Sequence, residues 1–251
     1  MISNKDKYIV QYPRYLWLLV LSYSMTLSMS NWYDSRIIEL FGVSVTPGSL
    51  VYPMTFLLSN IITEVYGFKN SRKAILTAVM FNLVFVIYGW VVMSLPTPLN
   101  ASNNPSFDAF LTVNLRIFSA SFISYLIAEP VNAYIVAKLK SIQEGKYIGI
   151  RFISSTLISG IIDSIIFIII AFYGIMTDSE LINLILHIWM VKTFIEILGL
   201  PLSIKVARKL KKIEKLDIFD TNTQFTMLSL NSDYSESDNK YKLTSDDKNN
   251  K

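Results

Sequence analysis

"SNIITEVYGFKNSRKA" (residues 59–74) changes character halfway along. An apolar run leads into Asn60, Thr63 and Glu64, then a Tyr-Gly turn, then Lys69, Arg72 and Lys73. In water this would be an unremarkable helix end. In a bilayer it is a boundary. The amide and the carboxylate must turn inward, and the cations hold the turn at the aqueous surface. Which of the two holds depends on the solvent around the rest of the chain.

The flanking sequence answers for hydrocarbon. Stretches such as "YLWLLVLSYSMTLSM" (15–29) and "IIDSIIFIIIAFYGIM" (161–176) are apolar around the whole helix instead of along one stripe. The chain is 52% hydrophobic and 17% charged over 251 residues, with a mean hydropathy of +0.41. That balance excludes an ordinary soluble domain of this length. The pI near 9.0 reflects cations flanking apolar segments, a topology signal and not a nucleic-acid surface. Cysteine is absent and His187 is the single histidine, so disulfides, thiolate metal sites and multi-histidine metal sites are excluded. No metal or cofactor is expected. The basic start followed by the first apolar run resembles a signal segment, but its length and the spans that follow mark it as an uncleaved first helix.

The pattern predicts an all-α integral membrane protein with spans at 15–33, 48–66, 73–95, 112–138, 152–174 and 181–205, each near the ~20 residues a bilayer requires. Residues 1–14 form a cytoplasmic N-terminus, 15–210 a six-transmembrane-helix bundle, and 211–251 a polar, disordered cytoplasmic tail. Between the first two spans, "SRIIELFGVSVTPG" (35–48) is too short to cross and reads as an external strand or a re-entrant piece. The segment "DAFLTVNLRIF" (108–118) carries Arg116 and can begin the fourth span as an interfacial helix; "PTPLNASNNPSF" (96–107) reads as a solvated outer loop. Cations set the orientation. Lys5, Lys7, Arg14, Lys69, Arg72, Lys73, Lys138, Lys140, Lys146 and Arg151 fall on one side, with Lys205, Arg208, Lys209, Lys211, Lys212 and Lys215. The opposite side carries Arg36. Both termini are therefore expected inside.

An ionisable group at mid-helix costs about 2.5–3.5 kcal/mol on insertion scales, so each needs a partner or a purpose. Asn60, Thr63 and Glu64 share one face of the second span. Tyr125, Glu129 and Asn132 line a stripe on the fourth, beside Pro130, which frees a backbone carbonyl. The fifth carries Ser155, Thr156, Ser159 and Asp163, and the sixth Trp189, Lys192 and Glu196. Glu64 either pairs with Lys69 or Arg72 or forms part of an inner gate. Lys192 either neutralises Glu196 one turn away or faces the bundle centre. Ser155, Thr156 and Ser159 are common helix–helix contacts, His187 sits at the outer boundary, and Arg116 snorkels or caps the outer end of its own helix. Glu129 and Asp163 have no cation within one turn, so they must converge on a shared cavity or on Lys192. No nucleophile–base arrangement accompanies them, which favours binding and passage over catalysis.

Four stretches in order resemble one family. "PMTFLLSNIITEVYGFKNSRKAI" (53–75), "AEPVNAYIVAKLK" (128–140), "STLISGIIDSIIFIIIAFYG" (155–174) and "VKTFIEILGLPLSIKVARKLKKIEKLDIFDTNTQF" (191–225) are similar to the motifs of the queuosine precursor transporter family, also called the vitamin uptake transporter family. The resemblance implies a fold akin to the substrate-binding subunits of energy-coupling-factor transporters. It implies a non-enzymatic importer of a 7-deazaguanine, the 7-cyano or 7-aminomethyl form or queuine, in the bacterial cytoplasmic (inner) membrane, supplying transfer-RNA modification without touching nucleic acid. A homo-oligomer or an ATP-driven coupling module is compatible with it. Glu64, Tyr66, Gly67, Asp163 and Lys192 match the motifs. Asn60 and Asn132 stand where the family usually has Asp, and Glu129 where it usually has Gln, so charge moves while hydrogen-bond capacity stays. The substrate-binding set expected on these grounds is Asn60, Glu64, Tyr125, Glu129, Asn132, Ser159, Asp163, Trp189 and Lys192.

Overall fold

Backbone in hydrocarbon has no water to bond, so long apolar segments close their donors and acceptors internally as helices. The computed structural model describes residues 13–96, 98, 102–221, 223–227, 229 and 231–241. Lys5, Lys7 and most of the predicted N-terminal segment lie outside the described residues, as do parts of the 96–107 loop. Helix α1 spans Leu16–Tyr33. It is followed by a hairpin of β1 (Ile38–Leu40) and β2 (Val43–Val45). Short α2 (Pro47–Val51) leads into α3 (Pro53–Tyr66), and α4 is Phe68–Ser94. Three long rods complete the bundle: α5 (Asn104–Ile142), α6 (Ile148–Phe172) and α7 (Asp178–Glu214).

Counting α2 and α3 as one interrupted rod, six rods pack where six spans were predicted. Four of them, α4, α5, α6 and α7, are long and apolar enough to cross a membrane. The break in the second rod falls at Pro53, which has no N–H to continue the ladder; the Thr55 amide instead reaches Tyr52 O at 2.8 Å. Helix α5 has 39 residues and is about 58 Å long, so it exceeds a ~30 Å hydrocarbon core. It runs unbroken through the expected interfacial stretch at 108–118. The external piece is a β-hairpin, with Phe41 (φ 53°) and Gly42 (φ 78°) both left-handed at its turn, the arrangement that matches strand twist in a two-residue connection. The start of α2, just after the hairpin, is tied back to the end of α1: Ser30 Oγ donates to Gly48 O at 2.9 Å and Thr46 Oγ1 donates to Asp34 Oδ1 at 2.5 Å.

The bundle is apolar outside and polar at its centre. Trp17, Met25, Trp90, Phe194, Leu198 and Leu202 are exposed on the outer faces, whereas Ser59, Asn60, Glu129, Asn132, Ser159 and Asp163 are buried. A soluble protein inverts this arrangement; hydrocarbon outside explains it, and the chain is a multi-pass membrane protein. Two apolar clusters bracket the polar band. One, with Phe56, Ile62, Val65, Phe68 and Ile75, fills the half toward the 66–68 turn. The other, with Ile117, Phe167, Phe172, Leu184 and Ile188, fills the opposite end. Helix α3 is central, contacting α1, α4, α5, α6 and α7.

Two expectations are corrected here. Arg116 does not cap its own helix: its Nε and Nη2 donate to Ile170 O (3.1 Å) and Tyr173 O (2.6 Å) of α6, whose final carbonyls have no intrahelical donors. The tail is not structureless among the described residues of 215–241. Helix α7 continues to Glu214, past the predicted boundary at 210, and the chain then folds back with Leu216, Ile218, Phe219 and Tyr234 buried. Its acids find helix N-termini, where unpaired amides favour negative charge. Glu214 accepts from the Arg14 and Tyr15 amides (3.0 and 2.8 Å) at the start of α1. Asp220 accepts from the Phe68 amide at the start of α4 (2.9 Å) and from Tyr234 Oη (2.7 Å). Arg72 donates to Thr226 O and Asn231 O, and Lys69 Nζ to Asp233 O at 2.7 Å. Gly67 permits this docking. Its φ is +81°, and a Cβ there would run into Tyr234 and Ile218.

Candidate functional site

Helix α6 supplies the most regular wall of the polar band. Ser155 and Ser159 spend their hydroxyl protons inside the helix, on Phe152 O (2.9 Å) and Ser155 O (2.7 Å), which leaves their lone pairs facing neighbours. Trp189 of α7 lies against α6 at Gly160. One turn on, Asp163 Oδ2 accepts from Lys192 Nζ at 2.8 Å, and Oδ1 accepts from Tyr52 Oη at 3.0 Å. Lys192 also lies 4.0 Å from the Tyr52 ring centroid, a cation–π contact strengthened by burial. Of the two roles open to Lys192, the pair with Asp163 is the one formed. Glu196 is left without it.

Glu129 of α5 differs sharply. It is 0% exposed, and among the described residues no cation pairs with its carboxylate; the groups against it are hydroxyls. It faces Tyr23 of α1 and Thr55 and Ser59 of α3, with Asp163 the nearest charge on α6. One turn along α5, Asn132 Nδ2 donates to Asn60 Oδ1 at 2.9 Å. This joins α5 to α3 and leaves Asn60 Nδ2 and Asn132 Oδ1 unspent. Reversing both amides would still leave one donor and one acceptor free. The hydroxyls of Tyr23 and Tyr125 lie against one another and Thr156 lies against Glu196, whereas Trp189 Nε1 is buried without a partner. Asn60, Thr156, Thr193 and Glu196 line a narrow crevice between α3, α6 and α7 whose cavity volume is about 10 Å³, room for about one water. Buried polar atoms are almost always paired, so the free amide atoms of Asn60 and Asn132 and the indole N–H of Trp189 set this band apart from the rest of the bundle.

Eight of the nine expected residues thus share one band: Asn60, Tyr125, Glu129, Asn132, Ser159, Asp163, Trp189 and Lys192. Glu64 does not join them. Its carboxylate is taken by Arg151, Nε to Oε2 at 2.8 Å and Nη2 to Oε1 at 2.7 Å, and by Lys211 at 2.5 Å. Neither predicted partner, Lys69 or Arg72, is involved, because both are committed to the tail. Lys140 extends the cluster to Glu64 O, Ile218 O and Asp217. Glu64 therefore belongs to an ionic latch between α3, α5, α6, α7 and the tail. Tyr52, Tyr23, Thr55 and Ser59 were not expected at the site. The four-residue repeat Thr55, Ser59, Thr63 carried a signal for two of them; Tyr52 gave none beyond preceding a helix-breaking proline. Among the described residues no three His, Cys, Asp or Glu side chains are grouped to hold a metal ion.

Residues 46–206, well over half the chain, match the family model described as "Putative vitamin uptake transporter". Two relatives are similar as well. One, from Bacillus subtilis (strain 168), is named "Probable queuosine precursor transporter"; it is 23% identical over 66% of this chain and 73% of its own length. A second of the same name, from Haemophilus influenzae (strain ATCC 51907 / DSM 11121 / KW20 / Rd), is 27% identical over 53% of this chain and 54% of its own. No solved structure gives a significant match. A multi-pass bundle with unspent hydrogen-bonding groups at its centre is what carriage of a small polar molecule requires, and the chain belongs to the vitamin uptake transporter family, making it a transporter and not an enzyme.

Proposed function

We propose that the protein imports a queuosine precursor, a 7-deazaguanine base, across the bacterial cytoplasmic membrane, with six crossings and both termini inside. The observation that carries this is the set of unspent polar atoms on Asn60, Asn132 and Trp189. A guanine-like edge offers an N–H and an amino group side by side, with a carbonyl next to them. A carboxylate accepts from the two donors and an amide donates to the carbonyl. Asn60 Nδ2 suits the carbonyl, Asn132 Oδ1 suits the donors, and Tyr125 and Trp189 offer flat faces for the ring. Asp163 and Lys192 act as a neutral wall beside it, since Tyr52 and Lys192 already take the Asp163 oxygens. The cations at the Gly67 turn, around Arg151 and along the end of α7 support the inward orientation of that face. The names of the two relatives support the cargo.

The test is uptake of each candidate base by a host unable to make the precursor, read as queuosine in its transfer RNA. The wild-type chain, expressed alone, is expected to restore the modification, and Asn132→Ala and Asp163→Ala to abolish it at normal membrane abundance. Rescue that requires an ATP-driven coupling module would make the chain a binding subunit. Failure of every deazaguanine, with or without that module, would end the proposal.

A further inference from the structure

The charges of the polar band do not balance. Glu129, Asp163 and Glu196 are all buried, and they meet one cation, Lys192. Its ammonium is committed to Asp163 at 2.8 Å. The other buried cations are engaged elsewhere: Arg151 on Glu64, Lys140 on Asp217 and backbone carbonyls, and Arg72 on the tail. The groups facing Glu129 from each packed element are Tyr23 on α1, Thr55 and Ser59 on α3, Tyr125 on α5, Asp163 on α6 and Glu196 on α7, with Tyr52 between α2 and α3. None is a cation. An ionised carboxylate buried among neutral hydroxyls and other acids is strongly unfavourable without a counter-charge.

What would supply it can be read from the neighbouring atoms. Around Glu129 the polar atoms are its two carboxylate oxygens and the hydroxyls of Tyr23, Thr55 and Ser59, each with lone pairs able to accept. An ammonium group has three donors and no acceptor, and it matches that set. A neutral arm that only accepts, such as a nitrile, could take a hydroxyl proton but would leave the Glu129 charge uncompensated. We infer that this site selects a ligand whose arm carries a protonated amine, and that Glu129 is its counter-ion. This rests on the deazaguanine reading above and adds to it which member of the class is preferred.

Equilibrium binding to the purified full-length chain in detergent tests it, comparing a 7-deazaguanine with an aminomethyl arm against one with a cyano arm. The wild-type protein should bind the amine at least tenfold more tightly. Glu129→Gln, of nearly the same shape, should weaken the amine tenfold or more and leave the nitrile unchanged or improved, so that the preference collapses. The wild-type ratio is informative even if the variant folds poorly. Equal affinity for both arms, or a preference that survives Glu129→Gln, overturns the inference while leaving deazaguanine transport standing. Equal affinities that both fall as pH rises, with the pH dependence lost in Glu129→Gln, would mean that a proton neutralises Glu129, and would also overturn it. Binding of neither base removes the inference and the proposed cargo together.

Discussion

Glu64 and Glu129 are both glutamates on bundle helices, both 0% exposed, yet their surroundings are opposite. Every direction around the Glu64 carboxylate ends on a donor from Arg151 or Lys211, and the carbonyl of the same residue takes Lys140. The Glu129 carboxylate meets hydroxyls and no cation. Burial alone therefore does not distinguish a structural acid from a functional one; what does is whether the neighbours discharge it. The acid of the membrane-end cluster is neutralised by cations, as a latch should be, and the acid of the central band is not.

Substitutions can break or sharpen that contrast. The largest effect on stability is expected for Arg151→Ala, which would strand Glu64 buried with Lys211 as its remaining side-chain partner; removing one partner of a buried pair costs about 3–5 kcal/mol. A thermal melt followed by size-exclusion in detergent would read it, and an unchanged melting temperature would end the latch assignment. Gly67→Ala comes next. A methyl group at φ +81° against Tyr234 and Ile218 should cost about 1–3 kcal/mol and expose residues 216–234 to limited proteolysis. Tyr234→Phe removes the hydroxyl that joins the Lys69 amide (2.9 Å) to Asp220 (2.7 Å), a loss of about 1 kcal/mol, visible as faster hydrogen exchange at the start of α4. The smallest change is expected at Glu129→Gln, whose melting temperature should hold or rise because an uncompensated buried charge disappears, even as amine binding is lost. A melting temperature as low as that of Arg151→Ala would place Glu129 in the same structural class as Glu64 and erase the comparison.

Much of this was legible beforehand. The apolar runs predicted helices close to those observed, because span length is set by bilayer thickness and needs no knowledge of neighbours. The polar stripes pointed to Asn60, Glu129, Asn132 and Asp163 for a similar reason: polar groups at mid-helix have nowhere to turn but inward. The partners were not legible. Lys192 lies one turn from Glu196 yet pairs with Asp163, 29 residues away, and Glu64 lies near Lys69 and Arg72 yet pairs with Arg151, 87 residues away. The tail misled by composition: its Ser, Asp and Asn residues look disordered when counted, but Asp220 and Tyr234 have helix N-terminal amides to bond.

The amino-acid sequence by itself determined the solvent, the number of rods and which faces of them turn inward, since these follow from the cost of exposing polar groups to hydrocarbon one segment at a time. Only the tertiary structure decided which acids are neutralised and which are left open. Pairing depends on distances of a few ångströms between rods far apart in the chain, and helical spacing carries no information about those.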